Sequence, residues 1–175
     1  MVYKVGIITA SDKGYAGTRD DLSGPAIEEI VSKSNAFQVA QMTLLPDDKG
    51  MLAAKMRQMA DEDQLDLVLT TGGTGFSKRD VTPEATLEVI ERRSPGIPEA
   101  MRSISFQITP RAMLSRAEAG IRGGTLIINL PDAKAHDSSH EHHAFHTEVQ
   151  VACLFRDEFP QRCKQQRGAG NHCGC

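Results

Sequence analysis

Three stretches of this chain are too continuously apolar to lie on a surface: "YKVGIIT" (Tyr3 to Thr9), "LDLVLTT" (Leu65 to Thr71) and "TLIINL" (Thr125 to Leu130). In the second, Asp66 is the one charge. A strand with one wet face alternates apolar and polar residues, whereas a run without alternation needs cover on both faces. Helical patterns separate these runs, and that alternation is the mark of βαβ units and a mostly parallel sheet. The spacing predicts a helix opened by Ser23-Gly24-Pro25 with Ile27, Ile30 and Val31 on one face. A strand over "FQVAQMTLLP" and a helix over "DDKGMLAAKMRQMADEDQ" come next, the latter with Leu52, Met56 and Met59 on its core side. After Thr71 comes a glycine loop, then a helix over "TPEATLEVIERR" with Thr82 as N-cap and Pro83 in the first helical position. "PGIPEAMRSISFQITPRAML" reads as one or two short helices cut by Pro98 and Pro110, and "GIRGG" as a turn before the last strong strand.

A chain of 175 residues suits one domain with a real core. That domain is expected over residues 1–160, with 161–175 as a loose tail. Its formal charge of −3, from 20 basic and 23 acidic residues, provides no basic footprint for nucleic acid or an anionic membrane. Neither a signal peptide nor a run of membrane-spanning length is visible, so a cytoplasmic protein is expected. Cys153, Cys163, Cys173 and Cys175 crowd the C-terminal part without the spread of a disulfide framework and are expected to be reduced.

In an open parallel sheet, ligands bind beyond the carboxyl ends of the strands, where loops lead into helices. The segments 11–21, 47–48 and 72–80 are the acidic or glycine-rich loops on that edge. Gly72-Gly73-Thr74-Gly75 lets backbone N–H groups close on a phosphate, with hydroxyls available from Thr70, Thr71, Thr74 and Ser77. Neither the Walker A spacing nor a dinucleotide fingerprint is present. The glycines serve either such a cradle or simply a tight strand-to-helix turn.

Asp12, Asp20, Asp21, Asp47, Asp48 and Asp80 all fall in loops on the same edge. A bare carboxylate about 4 Å from a phosphate oxygen costs on the order of 4 kcal/mol at an effective dielectric near 20. Acidic loops beside a phosphate cradle therefore point to a divalent cation, Mg²⁺, shared between aspartates and phosphate oxygens. The structural alternative is that Asp47 or Asp48 caps the helix starting near Lys49 and that Asp80 bonds the turn before Thr82. Lys78 and Arg79 either clamp phosphate oxygens or are solvated loop cations.

The segment "TTGGTGFSKRDVTPEAT" closely resembles the signature of the MogA/MoaB family, the molybdopterin-binding adenylyltransferase domains of molybdenum cofactor biosynthesis. "VGIITASDKGYAGTRDDLSGPAI", "LLPDD", "PGIPEAMR" and "AMLSRAEAGIRGGTLIINLP", in that order, extend the resemblance over residues 3–131. It implies a three-layer α/β/α fold with a mostly parallel central sheet and a small β-hairpin extension, commonly a homotrimer. It also implies Mg-ATP-dependent adenylylation of molybdopterin, in which the pterin phosphate attacks the α-phosphorus and pyrophosphate leaves, with a molybdenum insertase of MoeA type as a partner. Carried over by motif, Asp47 and Asp80 would serve Mg²⁺ and catalysis. Ser11, Asp12, Thr71, Gly72, Gly73, Thr74, Gly75 and Ser77 would hold the nucleotide and its phosphates, and Glu99, Arg102, Ser115 and Pro131 would line the pterin side.

Two positions depart from the family pattern. Asn129-Leu130-Pro131 continues into Asp132-Ala133-Lys134 where a glycine and a second proline are usual, and Lys78 stands where proline is common. Two alternative functions stay open: a MoaB-like carrier that binds molybdopterin without adenylylating it, and a nucleotide pyrophosphatase, because related folds hydrolyse such bonds. Within the divergent segment 132–147, His136/His140 and His142/His146 have the i, i+4 spacing of a helical metal pair. His142-His143 and Ser138-Ser139 suit a solvated loop, no carboxylate or cysteine completes a recognised ligand spacing, and "AFHTEVQVACLFRDEF" fits a helix or a strand. The terminal His172-Cys173-Gly174-Cys175 reads as a mobile tail or an adventitious soft-metal binder.

Overall fold

The computed structural model describes residues 2–131. The histidine-rich segment, the cysteines, Asp132 and the C-terminal tail, for all of which the sequence carries expectations, lie outside the described residues. In chain order the elements begin with β1 (Tyr3–Ala10), the short helix α1 (Asp12–Tyr15), α2 (Ser23–Ser32), β2 (Phe37–Leu45) and α3 (Lys49–Arg57), which runs into a π-turn at Gln58–Glu62. They continue with β3 (Leu67–Thr71), α4 (Thr82–Val89), β4 (Arg92–Arg93), α5 (Gly96–Phe106), a 3-10 turn (Pro110–Leu114), β5 (Ala119–Arg122) and β6 (Thr125–Leu130).

The six strands form one sheet in the order β2-β1-β3-β6-β5-β4. The first four are parallel, and β5 is antiparallel to both β6 and β4. Helices cover both faces, giving the three layers that the apolar runs demand. Val5, Ile7, Leu67, Leu69 and Ile128 pack with Ile27 and Val31 of α2 and Met101 of α5. On the opposite face, Ile8, Val68 and Ile127 pack with Leu52 and Met56 of α3, Met59, and Ala85 and Val89 of α4. Consecutive strand residues thus enter opposite cores, which is why no polar alternation is seen. α3 and α4 are also tied at the surface by Glu88, whose carboxyl is pulled down to about 2 by hydrogen bonds from Lys49 and Arg57.

Several local expectations are corrected. The segment 11–21 holds a helical turn at Asp12–Tyr15, because the Ser11 hydroxyl accepts from Gly14 N and opens it. α4 stops at Val89, and Arg92–Arg93, expected to be helical, pair with β5 because that edge needs hydrogen-bond partners. Pro98 does not break a helix. It lies in the first turn of α5, where its missing N–H is harmless, while Pro110 opens the 3-10 turn. Thr82 is not an N-cap but the first residue of α4, and its hydroxyl donates backwards to Gly72 O at 2.9 Å.

Asn129 is a buried polar group at the centre of the sheet. Its Nδ2 donates to Thr70 Oγ1 (2.9 Å) and Thr86 Oγ1 (2.7 Å), and its Oδ1 accepts from Glu118 N (3.1 Å). One amide therefore joins β3, α4 and the entry to β5. Asn129→Ala strands these partners, and each buried unsatisfied group costs about 1–3 kcal/mol. Urea unfolding is expected to show a stability loss of about 3 kcal/mol; a loss below about 0.5 kcal/mol contradicts this role for the amide.

Candidate active site

Strand register places the candidate residues. Ala10 lies beside Leu45, Thr9 beside Thr71, and Thr71 beside Leu130, so four parallel strands end at one level. The chain leaves β1 to one side for β2 and the other for β3, which makes the gap beyond β1 and β3 a topological switch point. Thr71 is the last residue of β3, and Ser11, Asp12, Asp47, Gly72 to Gly75 and Pro131 follow just beyond the strand ends. The Thr71 hydroxyl, itself buried, donates to Pro131 O at 3.3 Å.

Two glycines are required by close approach. Gly72 has φ +88°, and a Cβ there would fall 2.2 Å from Ala10 O, so the backbones of the two loops touch. Gly73 has φ +63°, and a Cβ would meet Thr82 Oγ1 at 2.6 Å and Asp47 Oδ1 at 3.0 Å.

The carbonyls of the loop are committed to the protein. Gly72 O accepts from Thr82 Oγ1, Gly73 O from Thr82 N (3.2 Å), Thr74 O from Arg116 N (3.0 Å) and Gly75 O from Arg116 Nε (2.6 Å). In a trans peptide the N–H points opposite the carbonyl. The N–H groups of Gly73, Thr74, Gly75 and Phe76 therefore face away from Thr82 and Arg116, and among the described residues none donates to a protein acceptor. Successive unspent backbone donors are the groups from which anion-binding concavities are built. The close approaches at Gly72 and Gly73 meet the tight-turn reading of the glycines, and the unspent N–H groups are compatible with a cradle.

The aspartates divide by role. Asp21 Oδ1 accepts from Ser23 N and Gly24 N and opens α2, while Asp48 caps α3 through Met51 N. Asp12 and Asp47 are locked together, Asp12 N donating to Asp47 Oδ2 and Asp47 N to Asp12 Oδ1, both at 3.0 Å. Arg79 grips Asp12 with Nε (2.9 Å) and Nη2 (2.7 Å), and this hydrogen bonding holds the Asp12 carboxyl below its usual range. Asp80 Oδ2 accepts from Ser77 N at 2.7 Å, the turn expected for it, and a Cβ on Gly75 would lie 2.9 Å from the same oxygen. Asp47 and Asp80 thus flank the glycine loop.

Asp47 is the anomaly. Its Oδ1 is fully shielded yet has no hydrogen-bond partner. Burial pushes its carboxyl up; the Asp12 N–H pulls it down, the charges of Asp12 and Asp80 push it up again, and Arg79 offsets part of this. A shielded oxygen beside two other carboxylates and unspent N–H donors suits a cation bridging protein and phosphate. Among the described residues no group of three or more His, Cys, Asp or Glu is arranged to hold a metal alone. Mg²⁺ commonly takes one or two carboxylates and completes its shell with water and substrate phosphates; Asp47 and Asp80 are the carboxylates that would serve it here.

On the expected pterin side, Arg102 donates from Nη1 to Ser115 O (3.3 Å) and Ala117 O (3.1 Å), so it braces the segment that carries Ser115. The Ser115 hydroxyl accepts from Ala117 N. Glu99 is exposed on the first turn of α5, and among the described residues no hydrogen bond or ion pair joins it to the glycine loop. Ser11 Oγ accepts from Gly14 N and from Arg19 Nη2 (3.3 Å), and lines a cavity with Thr9, Arg19, Asp21, Ser23 and Gly72. Sequence reading missed Arg116 altogether. It adjoins Ser115 in "LSR", but nothing in its spacing ties it to a loop some forty residues earlier.

Because folding raises the Asp47 pKa, the folded state binds more protons than the unfolded one between the two values. Stability then falls as pH rises through that window, and the full cost stands above it. Without divalent cations, Asp47→Asn is expected to melt above the wild type at pH 7, with the gain vanishing as pH drops below the ordinary carboxylate range. Equal or lower melting at pH 7, read by scanning calorimetry, contradicts the strain assigned to Asp47.

Residues 6–135 match the family described as "Probable molybdopterin binding domain". Over 129 residues the chain is 44% identical to a molybdopterin adenylyltransferase of Helicobacter pylori strain J99, covering 73% of each chain. It is 41% identical over 130 residues to the Escherichia coli K12 protein of that name, covering 73% of this chain and 66% of that one. A crystal structure of the molybdopterin biosynthesis enzyme MoaB from Thermus thermophilus superposes with a TM-score of 0.79 at 40% identity, over 93% of this chain and 98% of that one. The chain belongs to the molybdopterin-binding domain family.

Proposed function

We propose that this protein is a molybdopterin adenylyltransferase that uses Mg-ATP, and that its reaction takes place between the glycine loop and Asp47. The observation carrying this reading is the row of unspent N–H groups at Gly73, Thr74, Gly75 and Phe76 beside the shielded, partnerless Asp47 Oδ1. Such a pairing suits a polyphosphate and a cation together. Relatives named molybdopterin adenylyltransferase support the choice of substrates.

In the proposed reaction a terminal phosphate oxygen of molybdopterin attacks the α-phosphorus of ATP. The bond from that phosphorus to the oxygen bridging the β-phosphate breaks, and pyrophosphate leaves with the electron pair. The loop N–H groups orient the phosphates and meet the charge that spreads over their oxygens. Asp47 and Asp80 would hold Mg²⁺, which neutralises charge on the nucleotide phosphates when bound. Arg79, paired with Asp12, would bring a cation to the same edge of the sheet. Little covalent chemistry is asked of the protein; positioning and charge supply the rate.

The proposal includes a homotrimer, for which the exposed apolar side chains near the end of α5 and the 3-10 turn after it, Phe106, Ile108, Met113 and Leu114, offer a contact surface. Delivery of the adenylylated product to a molybdenum insertase of MoeA type completes the proposal. No helix among the described residues is long and apolar enough to cross a membrane.

Purified protein incubated with molybdopterin, ATP and Mg²⁺ is expected to give adenylyl-molybdopterin by mass and one pyrophosphate per product. Asp80→Asn is expected to lower kcat about 100-fold or more with melting little changed. Saturable pterin binding without product assigns the carrier function instead, and AMP release from a dinucleotide without molybdopterin assigns the pyrophosphatase.

A further inference from the structure

Arg116 bonds three residues of the glycine loop and its neck, although it lies past the 3-10 turn, far along the chain. Its main-chain N–H donates to Thr74 O, its Nε to Gly75 O and its Nη2 to Asp80 O at 2.5 Å, while Nη1 pairs with Glu84 of α4. One guanidinium thus spans the neck of loop 75–80 and fastens it to the helix beyond. Inside that neck the loop is closed by Ser77 N on Asp80 Oδ2, Asp80 N on Ser77 O (3.0 Å) and Arg79 N on Ser77 Oγ (3.2 Å). Arg102 fixes the segment from behind through Ser115 O and Ala117 O.

From this geometry we infer that Arg116 is a positioning residue: it turns the Thr74 and Gly75 carbonyls away from the ligand and sets the Asp80 carboxylate beside the loop. The peptide planes at 74–75 and 75–76 are rotated by its bonds, so the Gly75 and Phe76 N–H groups face the anion. Its planar fork reaches Gly75 O and Asp80 O at once, from two nitrogens held in fixed relation, a geometry that the single ammonium of a lysine does not match. The inference rests on the adenylylation reading for what the loop holds, but not for how the loop is held.

The test compares Arg116→Lys with wild type by amide hydrogen exchange and by binding of the non-hydrolysable analogue AMPCPP with Mg²⁺. Exchange at the Ser77 and Asp80 amides is expected to rise at least tenfold in the variant, while sheet amides of β1 and β3 stay protected. AMPCPP affinity is expected to fall about tenfold or more. Arg116→Ala is expected to regain part of that affinity with millimolar guanidinium, which a general loss of folding would not allow. Unchanged exchange at Ser77 and Asp80, or an equal rise across the sheet, overturns the inference. If wild type binds no nucleotide, the adenylylation reading fails, and the exchange arm still decides the role of Arg116.

Discussion

The site depends on one backbone contact, Gly72 against the carbonyl of Ala10, made where β1 and β3 end in register. No side chain fits between these two loops, and no other residue type holds φ +88° there without strain. The contact brings the loop after β3 over the loops after β1 and β2, so Gly73 meets Asp47 and Arg79 reaches Asp12. Helices on both faces keep the four parallel strands level, and the buried Asn129 amide ties the central strands to α4. Stability and site geometry therefore share the same parts.

Electrostatics explains why so many acids gather where an anion is to bind. Most are already answered: Asp21 and Asp48 cap helices, Asp12 is neutralised by Arg79, and Asp80 takes the Ser77 N–H. What is left is concentrated on Asp47 Oδ1, held out of water without a partner. Keeping a shielded carboxylate oxygen unpaired costs stability, and such costs persist where a ligand later removes them. The cradle shows the complementary excess, four donors with no acceptor.

Much of this was legible in the sequence because it stems from period and composition. Uninterrupted apolar runs dictated strands covered on both sides, and glycines after β3 marked the loop. The two-residue β4 escaped notice, and part of β5 was read as a turn, since Arg92–Arg93 carry no strand signal and pair only because the sheet edge is there. Thr82 fits the pattern of a cap, but its hydroxyl is drawn to Gly72 O by a loop that sequence does not place. Arg116 was invisible for the same reason: its partners lie 36 and 41 residues away. Residue types pointed to an anion site; the direction of the loop's N–H groups is a tertiary fact.

Equilibrium binding of AMPCPP, measured by calorimetry with and without Mg²⁺ on wild type and Asp47→Ala, tests most directly whether the cradle and the carboxylates act as one site. Wild type is expected to bind at least tenfold more tightly with Mg²⁺ than with a chelator, and Asp47→Ala to lose most of that dependence. Equal affinity with and without Mg²⁺ in the wild type, or an unchanged Mg²⁺ effect in Asp47→Ala, would contradict a metal-bridged phosphate site.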